Sequence, residues 1–362
     1  MKASIVGAVV AVAAVVVGCG PEVAAPAAKP VPQRIFAYRT VHFGQSVVDS
    51  TGDMVLMNGT RQVGRTQIGV IATDPAFTTD GRYVFDLVGD TITAIAAATG
   101  KITQVPCDGC GDRSLKCLCQ AVVPIGAATV AWVGKDEHLM SLDLAAPGPP
   151  KKSAKALPTW KNTWDTAKPH LLAGTDGAVL AAFPDTLSFD TGPAYLVTPD
   201  GTARKLAPGR TDAIRDAAFS PDGKTVALSG DDDETCATVT TVDVKSGKGR
   251  TAPVHTPPGK RCKVRDGYVG DMWWAADGSL NVYYQAKDND LLDADQYRLT
   301  GGRWALAGAA RVSQTYPLPG GATAILDHPG VRDQNFLFLD VDGKHVRVED
   351  GVNRVVVPVT AR

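Results

Sequence analysis

Between residues 70 and 350, apolar positions recur in short alternating runs, each broken by a glycine-rich turn, with no sustained helical period. Four stretches share one layout: "FTTDGRYVFDL", "AGTDGAVLAAF", "FSPDGKTVALS" and "WAADGSLNVYY". Each passes through Asp-Gly into a run rich in Val, Leu, Phe or Tyr. Asp-Gly between alternating apolar residues predicts a hairpin, because glycine accepts the positive φ that such turns require. "WVGKDEHLMSLD" and "PLPGGATAILD" occupy equivalent places in weaker form. A second hairpin follows most of these: "AIAAATGKITQV", "LVTPDGTARKL", "TVDVKSGKGRT", "YRLTGGRWALA" and "LFLDVDGKHVRV". The unit is therefore four antiparallel strands, the composition of a propeller blade.

Spacing sets the number of units. The first-hairpin turns fall near Gly81, Asp136, Gly177, Gly223, Gly278 and Gly321, which gives five intervals over 240 residues and a period of about 48. Residues 34–362 then hold about seven units. Six are visible directly, and a seventh assembles from "SVVDSTGDMVLMNGTRQVGR" with the late "NRVVVPVT". A terminal strand pairing into the first blade would close the ring and leave no open sheet edge. The expectation is an all-β fold, a β-propeller of seven four-stranded blades, with six or eight as alternatives. A pair of β-sandwiches does not account for the repeat.

The N-terminus carries a different pattern. Met1-Lys2 leads into the run Ile5 to Val17, almost entirely Val and Ala. One cation and a short apolar core is the layout of a secretory signal peptide, and the run is shorter than the ~20 residues that span a bilayer. Val16-Val17-Gly18-Cys19 resembles a bacterial lipobox, which implies lipid attachment at Cys19. Several acyl chains on one residue make such an anchor stable. Residues 20–33 contain Pro21, Pro26, Pro30 and Pro32 with no apolar period, the composition of an extended tether. The division expected is a signal peptide over 1–18, a lipidated Cys and Pro/Ala-rich tether over 19–33, and a propeller over 34–362.

"FSPDGKTVALSG" followed by "TVTTVDVKSGK" resembles the repeats of TolB-like and WD40-like β-propellers. Lipobox, tether and propeller together are similar to secreted propeller lipoproteins of actinobacteria. The Gly-His and Trp-Asp markers that WD40 proteins carry in each blade do not recur here, so the resemblance implies the fold and no particular activity.

Formal net charge is −1, and no Lys/Arg cluster exceeds short pairs such as Lys151-Lys152. Nucleic acid is therefore not an expected partner. Aromatic residues make up 6% of the chain, sparse for a sugar-stacking surface. Beyond Cys19 six cysteines remain, and an even number on an oxidising side of a membrane reads as disulfides. Nested bonds, Cys107 with Cys119 and Cys110 with Cys117, would staple a hairpin. A Cys107–Cys110 bond would leave Cys117 and Cys119 to pair across one residue, a strained geometry. The same four thiolates could instead hold zinc. Cys236 and Cys262 bracket one hairpin and form a natural third pair.

The acidic runs Asp231–Glu234 and Asp288, Asp290, Asp293, Asp295 lack the Gly and terminal Glu of an EF-hand and read as solvated loops. The six histidines, His42, His138, His170, His255, His328 and His345, are scattered, and no HExxH or GxSxG occurs. Of Trp273-Trp274, one is expected to pack between blades and the other to face a rim. Trp160 and Trp164, in "PTWKNTWDTAKP", are candidates for a contact surface. No cofactor or metal is expected. The chain reads as a monomeric binding or scaffolding module on the outer face of the bacterial cytoplasmic membrane. Its partner would be an envelope protein, a wall polymer or a small ligand. A propeller hydrolase, lactonase-like or other, with its site at the central channel is the alternative.

Overall fold

A computed structural model describes residues 34–42, 51–69, 74–110, 122–161, 166–183, 192–206, 214, 216–229, 237–254, 267–275, 277–286, 294–308, 313–327 and 335–358. Strands pair in seven four-stranded antiparallel sheets. Blade 1 contains β1 (Ile35–His42), β2 (Thr51–Asn58) and β3 (Arg61–Gly69). Blade 2 is β4 (Ala76–Phe77), β5 (Tyr83–Val88), β6 (Thr91–Ala96) and β7 (Ile102–Pro106). Blade 3 is β8 (Val122–Pro124), β9 (Thr129–Val133), β10 (His138–Asp143) and β11 (Lys151–Ala156). A two-stranded hairpin, β12 (Trp160–Lys161) with β13 (Thr166–Ala167), precedes blade 4. Blade 4 is β14 (His170–Thr175), β15 (Ala178–Ala182), β16 (Tyr195–Val197) and β17 (Ala203–Lys205). Blade 5 is β18 (Asp216–Phe219), β19 (Thr225–Ser229), β20 (Thr238–Asp243) and β21 (Gly249–Pro253). Blade 6 is β22 (Gly267–Trp274), β23 (Leu280–Ala286), β24 (Ala294–Thr300) and β25 (Arg303–Gly308). Blade 7 is β26 (Ser313–Pro317), β27 (Thr323–Asp327), β28 (Phe336–Val341) and β29 (Lys344–Asp350). The last strand, β30 (Val352–Val356), returns to blade 1 and pairs with β1, Tyr38 opposite Val355 and Arg39 opposite Arg354.

The seven-bladed ring expected from the period is therefore present, closed by the terminal strand. The seventh-blade assembly read from the sequence omitted β1, whose "IFAYRTVH" carries no turn signal of its own. One turn sits elsewhere than expected. Asp136 lies between β9 and β10, the second and third strands of blade 3, so "WVGKDEHLMSLD" is not a first hairpin. The true first turn of that blade is "IGAA", residues 125–128, which lacks Asp-Gly.

Middle strands face a neighbouring blade on both sides and are buried almost throughout, as in β15 and β19. Outer strands such as β11 and β21 are largely exposed. Apolar clusters join adjacent blades: Phe85 and Leu87 with Trp132 between blades 2 and 3, and Leu180 with Phe219 and Leu228 between blades 4 and 5. Phe36 and Tyr38 of blade 1 pack with Leu326 and Leu337 of blade 7 and with Val352 and Val355 of β30.

Asp-Gly turns hold their shape locally. The Ser220 hydroxyl donates to Asp222 Oδ1 at 2.7 Å, the Lys224 amide donates to the same oxygen at 3.1 Å, and Gly223 takes φ +67°. These hydrogen bonds, Ser220 first, hold the Asp222 carboxyl down at about 2. The turn aspartates are thus committed to the backbone.

Inner strands approach one another closely. A Cβ at Gly174 of β14 would lie 1.7 Å from the Pro124 carbonyl oxygen of β8. Because that neighbour is backbone, Gly174→Ala is expected to cost about 2–3 kcal/mol through overpacking. Chemical denaturation should show a lower midpoint at unchanged m-value.

Candidate ligand site in the central channel

Three repeats share a spacing beyond the turn itself. Asp74, Asp216 and Asp271 each stand six residues before the turn aspartates Asp80, Asp222 and Asp277, with Phe77, Phe219 or Trp274 between. Asp216 and Asp271 lie on the inner strands β18 and β22, and Asp74 lies just ahead of β4. Antiparallel blades repeated around a ring bring residues of equal offset toward one level of the channel. In blades 4 and 7 the same offset holds His170 and Gln314.

Arg354 of β30 meets this set from blade 1. Its Nη2 donates to Asp271 Oδ1 at 2.9 Å, and its Nε lies 3.5 Å from Asp74 Oδ2. One guanidinium thus links blades 1, 2 and 6 through the middle of the ring. Arg354 Nε is buried and makes no hydrogen bond. The Met272 amide also donates to Asp271 Oδ1, at 2.9 Å, and the Ala217 amide donates to Asp216 Oδ1 at 2.7 Å.

The cluster is electrostatically coupled. Burial pushes the Asp216 carboxyl up to about 7, and the like charge of Asp271 adds to it. Asp216 is half-buried on β18, and the protein around it leaves its ionised form poorly hydrated. Burial also raises Asp271, with Arg354 opposing. Burial would lower the Arg354 guanidinium, but Asp271 and then Asp74 hold it above its ordinary value. Tyr316 is raised by burial and by Asp271, and its hydroxyl donates to Gln314 Oε1 at 2.8 Å.

Against the cluster opens a cavity of about 210 Å³ lined by residues of all seven inner strands. Its charged lining residues are Asp271 and Arg354, and its apolar lining includes Phe219, Met272, Trp273, Trp274 and Val355. Thr78, Thr79, Thr175 and Ser220 line it toward the first-hairpin turns. A concave, mainly apolar space with a few convergent polar groups is the general form of a small-ligand site.

Both tryptophans of the Trp273-Trp274 pair pack between blades, on opposite sides of blade 6. The Trp273 ring centre is 4.7 Å from that of Tyr283 and 5.8 Å from that of Tyr316 of blade 7. Trp274 donates from Nε1 to the Ala218 carbonyl of blade 5 at 3.0 Å. The expected rim position for one of them is thus corrected: strand alternation sends the two side chains to opposite faces.

Cys107 is bonded to Cys110, with Cα atoms 5.7 Å apart. This replaces the nested pairing of Cys107 with Cys119 and of Cys110 with Cys117. The turn at Gly109, φ +77°, brings the two cysteines within disulfide range. The turn packs on blade 3, where Trp132 Nε1 donates to the Asp108 carbonyl at 3.3 Å and Lys135 pairs with the Asp108 carboxylate. Both cysteines are buried, in the cluster between blades 2 and 3. Cys19, Cys117, Cys119, Cys236, Cys262 and Trp164 lie outside the described residues, as do Asp231–Glu234 and Asp288, Asp290 and Asp293. Trp160 is half-buried on β12, its ring centre 6.0 Å from that of Phe183. Among the described residues, no three His, Cys, Asp or Glu side chains are grouped as a metal site would need.

No protein-family model matches the chain, and comparison with curated proteins gives no match. Solved structures resemble it in fold. The β-propeller domain of the Trilobed protease from Pyrococcus furiosus matches with TM-score 0.54 and 12% identity over 90% of this chain and 97% of that one. That domain has an open velcro topology, whereas here β30 pairs with β1. A candidate 6-phosphogluconolactonase from Bacteroides fragilis matches with TM-score 0.50 and 12% identity, over 89% and 97% of the two chains. A candidate TolB from Agrobacterium tumefaciens gives TM-score 0.42 and 13% identity, over 89% and 91%. At these identities the first two likenesses agree with the class that the strand pairing shows, a seven-bladed β-propeller, and establish no activity.

Proposed function

We propose that the chain is a lipid-anchored, extracytoplasmic propeller that works by binding a ligand in its central channel. The observation that carries the binding reading is the cavity of about 210 Å³ whose lining includes the Asp271–Arg354 ion pair. The Arg354 guanidinium ties up Asp271 at 2.9 Å and neighbours Asp74, which suits a fixed recognition surface. Anchoring rests on the lipobox-like Val16-Val17-Gly18-Cys19 and the proline-rich segment after it.

The hydrolase reading has one observation in its favour. Asp216, raised to about 7, would be suited to general acid–base work at neutral pH. The two readings separate in one experiment. A photo-crosslinking residue placed at Thr79, in the channel, or at Lys245, on the exposed outer turn, is expressed in intact cells of the source organism. Binding predicts a defined adduct from position 79 and none from position 245. Adducts from neither position, together with lactone or peptide turnover that Asp216→Asn abolishes, would favour the hydrolase. Radiolabelled palmitate should enter the wild-type chain and not Cys19→Ala; labelling of both would remove the proposed anchor.

A further inference from the structure

We infer that the channel takes an uncharged ligand that carries a carbonyl oxygen on a compact apolar body, such as an amide or ester of a small ring. This rests on the binding reading and names the ligand class for the same site. Asp271 and Arg354 are the charged residues that line the cavity, and they meet each other at 2.9 Å, so the lining presents a pair without net charge. Asp74, 3.5 Å from the same guanidinium, stands outside the lining. An anionic ligand would meet the carboxylates already held on Arg354, and a cationic one would compete with Arg354 for Asp271.

The pair leaves donors over. A guanidinium carries about five N–H donors, and that of Arg354 makes one hydrogen bond among the described residues, from Nη2 to Asp271. Nε is buried, so the remaining reachable donors are those of the Nη atoms. Arg354 keeps 27% of its side-chain surface exposed and lines the cavity, which leaves a donor edge there for an acceptor. The Thr78 and Ser220 hydroxyls of the same lining are already committed to Asp80 and Asp222. A purely hydrocarbon ligand would strip water from the guanidinium edge and leave it unpaired, a loss that a carbonyl oxygen avoids. Phe219, Met272, Trp273 and Trp274 supply apolar wall for the body of the ligand. A cavity of about 150 Å³ suffices for benzene, and the 210 Å³ here leaves room for one ring and its carbonyl group.

Ligand-detected NMR titration of the full chain at pH 8 tests this. Benzamide is the uncharged carbonyl probe, benzoate its anionic counterpart and benzylammonium its cationic one. Saturable binding of benzamide is expected, about tenfold or more tighter than that of either ion. Arg354→Met with Asp271→Asn keeps the lining uncharged but removes the donor edge, and should weaken benzamide about tenfold. Thr79→Trp, which narrows the channel, should abolish benzamide binding. Equal or tighter binding of either ion overturns the inference, a result read on the wild-type chain alone. Unchanged benzamide affinity in the folded double variant, or in Thr79→Trp, overturns it too. If Thr79→Trp abolishes equal binding of all three probes, the channel is a site without this preference and the binding reading stands without the inference. If benzamide does not bind, the inference falls, and the binding reading falls with it when the Thr79 crosslinker also captures nothing.

Discussion

Ending the chain after Gly351 is expected to abolish cooperative folding of the ring. The truncation removes β30, and with it Val352 and Val355, which are 0% and 1% exposed within the cluster that joins blades 1 and 7. Burial of each valine contributes roughly 1.5–3 kcal/mol. The truncation also strips the β1 ladder of its partner from Ala37 to Thr40 and removes Arg354 from the channel. Together these losses approach the total stability of about 5–15 kcal/mol typical of a domain. Near-ultraviolet circular dichroism should show loss of the sharp thermal transition. A synthetic peptide of residues 350–362, supplied in trans, should restore part of it. A truncated chain melting within about 5 °C of the full chain would show that β30 does not close the ring.

Arg354→Met should destabilise the protein by about 2–4 kcal/mol at pH 8. Removing one partner of a largely buried pair leaves the other charge poorly compensated. Asp271 loses its 2.9 Å guanidinium contact, and Asp74 loses its nearest cation in the cluster. The pH dependence identifies the cause. Burial raises Asp271, and Arg354 restrains that rise, so the variant's carboxyl should titrate still higher. A carboxyl with a raised folded-state pKa binds more protons folded than unfolded, so stability falls as pH rises through the window between the two values. The defect should therefore be small near pH 5 and largest above neutrality. Arg354→Met with Asp271→Asn should recover most of the loss, since it removes both members of the pair. A defect equal at pH 5 and pH 8 would mean that Arg354 acts through packing alone.

The sequence made the architecture legible because each blade repeats the same local physics. Asp-Gly turns such as Asp222-Gly223 mark first hairpins, and the apolar runs after them, such as "TVALS", are strands buried on both faces. Blade 3 departs from this pattern: its first turn "IGAA" has no Asp-Gly, and the stronger signal at Asp136 belongs to the next hairpin. The channel site was legible only in principle. The aspartates six residues before Asp80, Asp222 and Asp277 carry the signal, but each alone looks like a solvated loop residue. Arg354 has no counterpart in that pattern, because it reaches the cluster on the strand that arrives last in the chain. The cysteine pairing failed for a local reason: Gly109 lets residues 107–110 turn tightly enough to bond, which spacing did not decide among the alternatives.

Asp216 belongs to a desolvated, electrostatically coupled carboxylate cluster and reports on it directly. Carbon-13 NMR of the side-chain carboxyl in the full chain, assigned by Asp216→Asn, measures its titration. A midpoint near 7 is expected, moving toward the ordinary carboxylate range in Asp271→Asn as the like charge is removed. A midpoint near 4 that Asp271→Asn leaves in place would contradict the account.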